Sequence, residues 1–291
     1  MIPRFTLARP TTLADAHAAF AATGGDAAWV AGGTELLQVM KMGLAQIGTL
    51  IDLKGIAELR GITETTDGAL RIGGATTHRD IERSPLVRRH TPALAALEEG
   101  VANVRVRSTG TIGGNLAFAE PHSDPATFLL ACGAIVELAG PTGRRELGIG
   151  EFILGPLETA READEIIVAV RLPAAAAGEG RAYAKLAFFE RPAASLGVCL
   201  RVADGVVQGA TVAVGSLTEV PELVAPAADA LVGAAATPDA LTAACVGAGA
   251  AFADLDAVAD LNGSVRFKRH LVGVLLDRAV RAACTEALAR G

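Results

Sequence analysis

The chain has 291 residues, a length that predicts two or three subdomains rather than a single core. Hydrophobic residues make up 51% of it but aromatic residues only 4%, so small side chains must pack closely in its core. The formal net charge of −6 argues against nucleic acid or an anionic membrane surface as a partner.

The cysteines indicate a reduced, intracellular protein without its own metal centre. Cys132, Cys199, Cys245 and Cys284 lie far apart and form no C-x-x-C pair, which argues against a zinc ribbon or an iron–sulfur cluster. The N-terminal residues resemble no signal peptide, and every long apolar run is interrupted by charge. We therefore expect a cytoplasmic protein with no membrane span.

The N-terminal part, residues 1–55, predicts a small β-α-β unit. Thr12 and Asp15 have the spacing of a capping box, and Gly24-Gly25 would end the helix that they begin. A strand, a helix and a further strand are expected at Ala27–Ala31, Glu35–Met40 and Thr49–Leu53.

The middle part, residues 56–175, predicts a sheet with helices. Hairpin turns at Asp67-Gly68 and at Gly140–Gly143 each join two short strands, and Pro173 closes another strand over Ile166–Leu172. Helices are expected over Thr77–Arg83, Pro92–Gly100 and Ala126–Cys132.

The C-terminal part, residues 176–291, follows a linker of small residues and predicts an α+β unit. An antiparallel meander of three strands precedes three helices, which would pack on one side of the sheet. The last helix is expected to bury one face, made of Phe267, Leu271, Val274, Leu275, Ala279 and Ala282. The predicted strands are Ala182–Phe189, Leu196–Ala203 and Ala210–Ser216, and the helices are Pro226–Val232, Pro238–Ala251 and Val265–Ala289.

Two Gly-Gly pairs beside hydroxyl or amide side chains are the strongest functional signal. They lie in Ala31–Leu37 and in Thr109–Asp124. Adjacent glycines lack Cβ atoms, so the backbone can adopt φ > 0 and approach a ligand, and successive N–H groups can form an anion-binding concavity. Two such loops facing each other, with Thr34, Thr111 and Asn115 as donors, would suit a diphosphate. The alternative is a pair of tight turns.

The better-known phosphate, metal and nucleophile motifs are missing from the sequence. It has no G-x-x-x-x-G-K-[ST], and Phe252 replaces the third glycine of the nearest G-x-G-x-x-G at Gly247. It also has no H-x-x-x-H pair and no G-x-S-x-G elbow.

Three stretches carry a resemblance to a known family: Ala-Gly-Gly-Thr-Glu-Leu, Thr-Ile-Gly-Gly-Asn-Leu further along the chain, and Ser123-Asp124. With them the chain resembles the FAD-binding (medium) subunits of molybdenum hydroxylases. Carbon monoxide dehydrogenase and xanthine dehydrogenase represent this family, and the likeness covers nearly the whole chain. It implies an α+β fold. Residues 1–55 and 56–175 would form a two-subdomain FAD-binding module (PCMH/vanillyl-alcohol-oxidase-like). Residues 176–291 would form a CO-dehydrogenase-flavoprotein-like domain with a three-stranded antiparallel sheet and helices.

The resemblance implies FAD between the first two subdomains. Asp124 would contact a hydroxyl of the flavin chain, although it could instead cap a helix. Ile166 and Ile167 would pack against the isoalloxazine, Lys185 would lie beside that ring, and Tyr183 would cover it or belong to the core. The full set of expected cofactor-binding residues is Trp29, Val30, Ala31, Gly32, Gly33, Thr34, Glu35, Leu36, Thr111, Ile112, Gly113, Gly114, Asn115, Asp124, Ile166, Ile167, Tyr183 and Lys185.

The resemblance further implies an oxidoreductase subunit that takes electrons from [2Fe–2S] clusters and passes them to NAD, a quinone, oxygen or another acceptor. The expected partners are a large molybdopterin-binding subunit and a small [2Fe–2S] subunit, in a dimer of heterotrimers. We expect no metal and no proton-transferring catalytic residue on this chain. Phe189 departs from the family, which commonly has a basic residue there.

Two alternatives remain at this stage. One is a stand-alone FAD-dependent oxidoreductase of the same flavin fold with its own substrate pocket. The other is a non-enzymatic adaptor whose glycine loops bind no flavin.

Overall fold

The computed structural model describes residues 2–291, and its first unit is a three-stranded parallel sheet with two helices. Its elements are β1 (Thr6–Ala8), α1 (Leu13–Ala21), β2 (Ala27–Val30), α2 (Leu36–Lys41) and β3 (Thr49–Asp52). The strand order β1-β3-β2 confirms the predicted β-α-β arrangement and adds β1, which the sequence pattern did not indicate. Thr12 caps α1 as predicted, because its Oγ1 accepts a hydrogen bond of 3.1 Å from the N–H of Asp15.

The middle part contains a five-stranded antiparallel sheet covered by helices. The strands of this part are β4 (Ile62–Glu64), β5 (Leu70–Gly73), β6 (Ile135–Gly140), β7 (Gly143–Gly148), β8 (Ile153–Gly155), β9 (Glu158–Thr159) and β10 (Ile166–Leu172). Of these, β8 and β9 pair with each other in a separate two-stranded sheet. Its helices are α3 (His78–Arg83), α4 (Pro85–His90), α5 (Pro92–Glu99), α6 (Val104–Arg107), α7 (Ile112–Phe118), α8 (Asp124–Ala131) and α9 (Ile149–Phe152). The sheet has the order β4-β5-β10-β6-β7, so β10 is its central strand. Both predicted hairpins are confirmed.

The C-terminal part has the predicted meander and helices. Its elements are β11 (Glu179–Ala187), β12 (Pro192–Ala203), β13 (Val206–Gly215), β14 (Glu222–Leu223), α10 (Ala225–Asp229), α11 (Pro238–Gly249) and α12 (Val265–Arg290). The expected three-stranded sheet has a fourth strand, because β14 pairs antiparallel with β13. Strand β14 has only two residues, too few to show the alternation of apolar and polar residues by which a strand is recognised in a sequence.

The apolar face predicted for α12 is partly wrong. Val274 is 39% exposed and Ala282 also faces solvent. The reason is that α12 lies directly on β11 at Gly180, where an added Cβ would be 1.8 Å from the carbonyl oxygen of Ala283. This approach determines which side of the helix is buried, and the buried residues are Lys268, Leu271, Val272, Leu275, Leu276, Ala279, Val280, Ala283, Cys284 and Ala287.

The C-terminal sheet lies between α12 on one face and α8 of the middle part on the other. At Gly197 on β12, an added Cβ would lie 2.9 Å from both the carbonyl oxygen of Thr127 and the Cβ of Ala131. Nearby, the buried thiols of Cys132 and Cys199 lie 3.2 Å apart across this contact. Because Gly180 and Gly197 have no side chains, α12 and α8 can pack on the two faces of the C-terminal sheet at backbone distance.

The helices and strands confirm the predicted α+β class. All four cysteines are buried. No helix within residues 2–291 has both the length and the apolar character needed to cross a bilayer.

Candidate functional site

A cavity of about 420 Å³ lies where the N-terminal sheet meets the middle part. Most of the residues expected to bind FAD line it, although Ile112, Tyr183 and Lys185 do not. Those that do are Trp29, Val30, Ala31, Gly32, Gly33, Thr34, Glu35, Leu36, Thr111, Gly113, Gly114, Asn115, Asp124, Ile166 and Ile167.

The first glycine pair forms an open loop between β2 and α2. Gly33 has φ +68°, in the left-handed region that glycine adopts without strain. The N–H groups of residues 32–35 have no hydrogen-bond acceptor within the described chain. Four successive N–H groups without a partner beside a cavity are the donors that an anion-binding concavity would need.

The second glycine pair is not a loop, which corrects the expectation of a second exposed turn. It lies in the first turn of α7, and neither Gly113 nor Gly114 has a positive φ. The N–H of Gly113 donates to the carbonyl of Gly74 (2.9 Å), and that of Gly114 donates to Oγ1 of Thr111 (3.1 Å). Thr111 is thus a helix N-cap, and the buried Ile112 packs in the core.

The two glycine segments nevertheless face each other as predicted, and they do so in direct contact. An added Cβ at Gly32 would lie 2.4 Å from the carbonyl oxygen of Thr109 and 2.7 Å from the Cα of Gly110. A Cβ at Gly113 would lie 2.6 Å from the carbonyl oxygen of Gly74. Because Gly32 and Gly113 have no side chains, the backbone segments at Gly32, at Gly74 and at residues 109–113 can meet at one end of the cavity.

Asp124 is buried on the cavity wall, with Tyr183 and Lys185 behind it. Nζ of Lys185 donates to Oδ2 of Asp124 (2.6 Å) and to the carbonyl of Gly100 (2.8 Å), while the hydroxyl of Tyr183 donates to Oδ1. Burial raises the pKa of Asp124, and the charge and hydrogen bond of Lys185 oppose that effect. Ser123, rather than Asp124, is the N-cap of α8. Helix capping, the alternative role expected for Asp124, is therefore performed by its neighbour.

The apolar part of the cavity comes from β10 and β2. Ile166 packs with the core of the N-terminal sheet and Ile167 with the core of the middle sheet, as the alternation along a strand requires. Trp29 stacks on Phe20 with ring centroids 4.7 Å apart, and its Nε1 donates to the carbonyl of Ala163 (2.9 Å).

The mouth of the cavity is bordered by polar residues from the middle and C-terminal parts. Nδ1 of His122 contacts Oε1 of Glu120 (2.9 Å), and Nε2 contacts Oδ2 of Asp260 (2.7 Å). Glu120 also pairs with Arg191 of the β11–β12 connection (3.3 Å). Phe189 in that connection is 89% exposed, so it does not cover the cavity in this conformation.

The bridge from Glu120 through His122 to Asp260 is expected to weaken as pH rises. The hydrogen bond with Glu120 is the largest cause that raises the pKa of His122, although burial opposes it. Burial also opposes the shift at Asp260, but hydrogen bonds from Lys268 and His122 lower the pKa of Asp260 to about 2. A histidine whose pKa is higher in the folded state stabilises that state at pH values below its ordinary pKa of roughly 6.5. This stabilisation is lost as the pH rises through the pKa of the folded state.

Thermal unfolding of the wild type and of His122→Gln therefore has a definite expected pattern. The variant should be less stable in mild acid, between the ordinary pKa values of aspartate and histidine, and the difference should shrink as the solution becomes alkaline. His270→Gln, at an exposed position, is the matched control and should show no such trend. A difference that is constant with pH would contradict the protonated bridge.

Sequence reasoning missed several residues on the cavity wall, among them His78, Arg161 and Glu190. The most notable is His78, whose Nδ1 lies 2.6 Å from Oε2 of the fully buried Glu98. The local sequence around His78 indicates only a helix start, with Thr77 as its cap. No local spacing could reveal a partner twenty residues away on another helix. Within residues 2–291, no cluster of three or more His, Cys, Asp or Glu residues is arranged to hold a metal ion.

Two protein families match the chain. The family described as "FAD binding domain in molybdopterin dehydrogenase" matches residues 3–175. The "CO dehydrogenase flavoprotein C-terminal domain" matches residues 187–283.

Relatives match the chain over almost its entire length. The carbon monoxide dehydrogenase medium chain of Hydrogenophaga pseudoflava is 35% identical over 97% of both chains. The nicotine 6-hydroxylase medium subunit of Paenarthrobacter nicotinovorans is 33% identical over 96% of this chain and 97% of its own.

Solved structures have the same fold. Carbon monoxide dehydrogenase from Hydrogenophaga pseudoflava, in a form lacking the Mo-pyranopterin moiety of its cofactor, superposes with a TM-score of 0.90 at 35% identity, covering 98% of this chain and 99% of the other. Quinoline 2-oxidoreductase from Pseudomonas putida 86 gives a TM-score of 0.91 at 26% identity, covering 99% of each chain.

Proposed function

The chain belongs to the family of FAD-binding medium subunits of molybdenum hydroxylases, and from this premise we propose that it is the electron-transferring flavoprotein subunit of such a complex. In this proposal it receives electrons from the [2Fe–2S] clusters of a small subunit and passes them to NAD, a quinone, oxygen or another acceptor. A large subunit holds molybdopterin and the organic substrate. We further propose a dimer of heterotrimers as the assembly, and a cytoplasmic location as predicted from the sequence.

The observation that carries the proposal is the row of unpartnered N–H groups at residues 32–35 on the cavity wall. A dinucleotide has a diphosphate bridge whose oxygens accept hydrogen bonds from such donors. Gly32 has no room for a side chain because the backbone of Thr109 and Gly110 packs against it, and this contact holds the loop at one end of the cavity. The residues present therefore fit FAD.

The residues around the cavity have distinct proposed roles. The loop at residues 32–35 binds the diphosphate, and Asp124 accepts a hydrogen bond from a hydroxyl of the flavin chain. Ile166 and Ile167 give the ring an apolar wall, while Trp29, Thr34 and Asn115 complete the binding set. Val30, Ala31, Leu36, Thr111, Gly113 and Gly114 form further parts of the wall, while Ile112, Tyr183 and Lys185 support it from behind. When bound, FAD supplies one- and two-electron redox chemistry, which the protein adjusts through nearby charge and hydrogen bonds.

The division into residues 1–55, 56–175 and 176–291 is part of the same proposal. In it, the cofactor lies between the first two units. The third unit contributes Lys185 and Tyr183 from β11, which hold the carboxylate of Asp124 in place.

Purification of the full chain from its native host, with its partners, tests the function. The proposal expects a yellow complex that contains FAD, iron and molybdenum. FAD on a chain that purifies without molybdenum and iron would instead favour the stand-alone oxidoreductase. A colourless chain that takes up no added FAD would refute both.

Lys185→Met is expected to lower the midpoint potential of the bound flavin. Its ammonium group lies 2.6 Å from Asp124 on the cavity wall, so the substitution removes a positive charge from beside the proposed flavin site. Negative charge near the flavin disfavours reduction, and a change on the order of 30 mV would correspond to about 1.4 kcal/mol for a two-electron couple.

A spectroelectrochemical titration measures this effect directly. Lys41→Met removes one exposed positive charge from α2, away from the cavity wall, and is the matched control. If the two variants have the same potential as the wild type, Lys185 does not influence the flavin.

A further inference from the structure

His78 is a buried histidine whose polar edge lies on the cavity wall. It is 3% exposed, it begins α3, and its N–H donates to the carbonyl of Gly110 (3.1 Å) just before the second glycine segment. Nδ1 lies 2.6 Å from Oε2 of Glu98, which is 0% exposed. A carboxylate behind one ring nitrogen fixes the ring and leaves the other nitrogen as the available donor.

The ring edge that carries the other nitrogen, Nε2, and its bonded neighbour Cδ2 lies near the point where the two glycine segments meet. The neighbouring ring atom, Cδ2, is 3.3 Å from the position that a Cβ on Gly110 would take, and Oγ1 of Thr34 is 3.4 Å from the same position. Nε2 has no hydrogen-bond partner within residues 2–291. The imidazole therefore faces the loop whose N–H groups are also without partners.

The surroundings of His78 favour its charged form. Burial alone lowers the pKa of His78, but the charge of Glu98 and its hydrogen bond outweigh burial and raise the pKa. Asp124 on α8 acts in the same direction, and Arg107 on α6 opposes it. Arg107 is itself paired with Glu82, at 3.1 Å, which reduces its effect on the ring.

The cavity also needs a cation near this loop. Its wall carries the carboxylates of Glu35, Glu120, Asp124, Glu165 and Glu190. Among the described residues, its only arginines are Arg161 and Arg191. Nη1 of Arg161 donates to three backbone carbonyls, and Arg191 pairs with Glu120. The first N–H groups of α7 are also used internally, so they cannot offset the charge of a diphosphate.

We infer that His78, held by Glu98, is an additional cofactor-binding residue that donates from Nε2 to the diphosphate of the dinucleotide and neutralises part of its charge. This inference rests on the proposed function. It assigns the positive charge of the site to a histidine and carboxylate pair rather than to lysine or arginine. The ligand chemistry it recognises is a nucleoside diphosphate.

The test compares two flavins, of which only one carries a diphosphate. Full-length apoprotein is titrated with FAD and with riboflavin, which has the same ring but no phosphate. His78→Gln combined with Glu98→Gln removes the pair without leaving a lone buried carboxylate. Loss of a charge-assisted hydrogen bond should weaken FAD binding at least about 10-fold while riboflavin binding changes by less than about 2-fold.

His270→Gln is again the control, and it should bind both flavins as the wild type does. Equal losses for FAD and riboflavin in the double variant would mean that His78 only supports the fold, and no loss for FAD would also overturn the inference. If the wild type binds neither flavin, the proposed function fails and this inference fails with it.

A second measurement uses the His122→Gln chain, because His122 also lies on the cavity wall and has a raised pKa, so that its signal is absent. Apoprotein labelled with nitrogen-15 in its histidines is titrated with ADP and, separately, with adenosine. ADP should shift the Nε2 resonance of a histidine that is protonated on both nitrogens, and adenosine should not. A spectrum that does not respond to ADP would overturn the inference.

Discussion

Gly32→Ala should abolish retention of FAD by the purified chain. The new Cβ would lie 2.4 Å from the carbonyl oxygen of Thr109 and 2.7 Å from the Cα of Gly110. Both of these are backbone atoms, so the first loop must move away from the second segment. Losing two of the diphosphate hydrogen bonds, at about 1.5–3 kcal/mol each, would weaken binding roughly 100-fold or more.

The measurement is the ratio of flavin to protein absorbance after gel filtration, followed by titration with added FAD. Gly247→Ala in α11 is the matched control, because nothing lies within 4 Å of the Cβ that it adds. That variant should keep its FAD. A Gly32→Ala chain with full flavin content would show that the contact between the two segments does not shape the site.

Gly180→Ala should strongly destabilise the C-terminal part. The added Cβ would lie 1.8 Å from the carbonyl oxygen of Ala283 and 2.5 Å from the backbone nitrogen of Ala287. These atoms belong to α12, so the helix must separate from β11 along its buried face. Overpacking of this kind costs about 3 kcal/mol of unfolding free energy, or more where the backbone cannot yield.

Urea unfolding followed by circular dichroism gives the change in free energy. Gly209→Ala, on β13 of the same sheet, adds a methyl group with no atom within 4 Å and should leave the stability nearly unchanged. If Gly180→Ala unfolds at the same urea concentration as Gly209→Ala, the direct contact of α12 with β11 is not as tight as described.

Elements with a local cause could be predicted from the sequence. The N-cap at Thr12, the hairpin at Gly140–Gly143 and the strand before Pro173 each depend on residues within a few positions of one another. The opposite packing of Ile166 and Ile167 has the same kind of local cause, since alternation along a strand is a property of the chain itself.

Features that depend on distant contacts could not be predicted. The second glycine pair has the composition of a turn, yet Thr111 caps a helix there and Gly74 accepts the N–H of Gly113. The partner of His78 lies on a different helix, and the buried side of α12 is set by the backbone of β11. In each case, the deciding contact is with a remote segment, which the local sequence does not reveal.

The contact of α8 with the C-terminal sheet has a consequence for how this protein can be divided. The helix begins at Asp124 on the cavity wall and ends against β12, where Gly197 lies at backbone distance from Thr127 and Ala131. A gene split between β10 and β11 would give two polypeptides with complementary uncovered apolar faces. Produced separately, each would aggregate, whereas produced together they would reassociate without the peptide link.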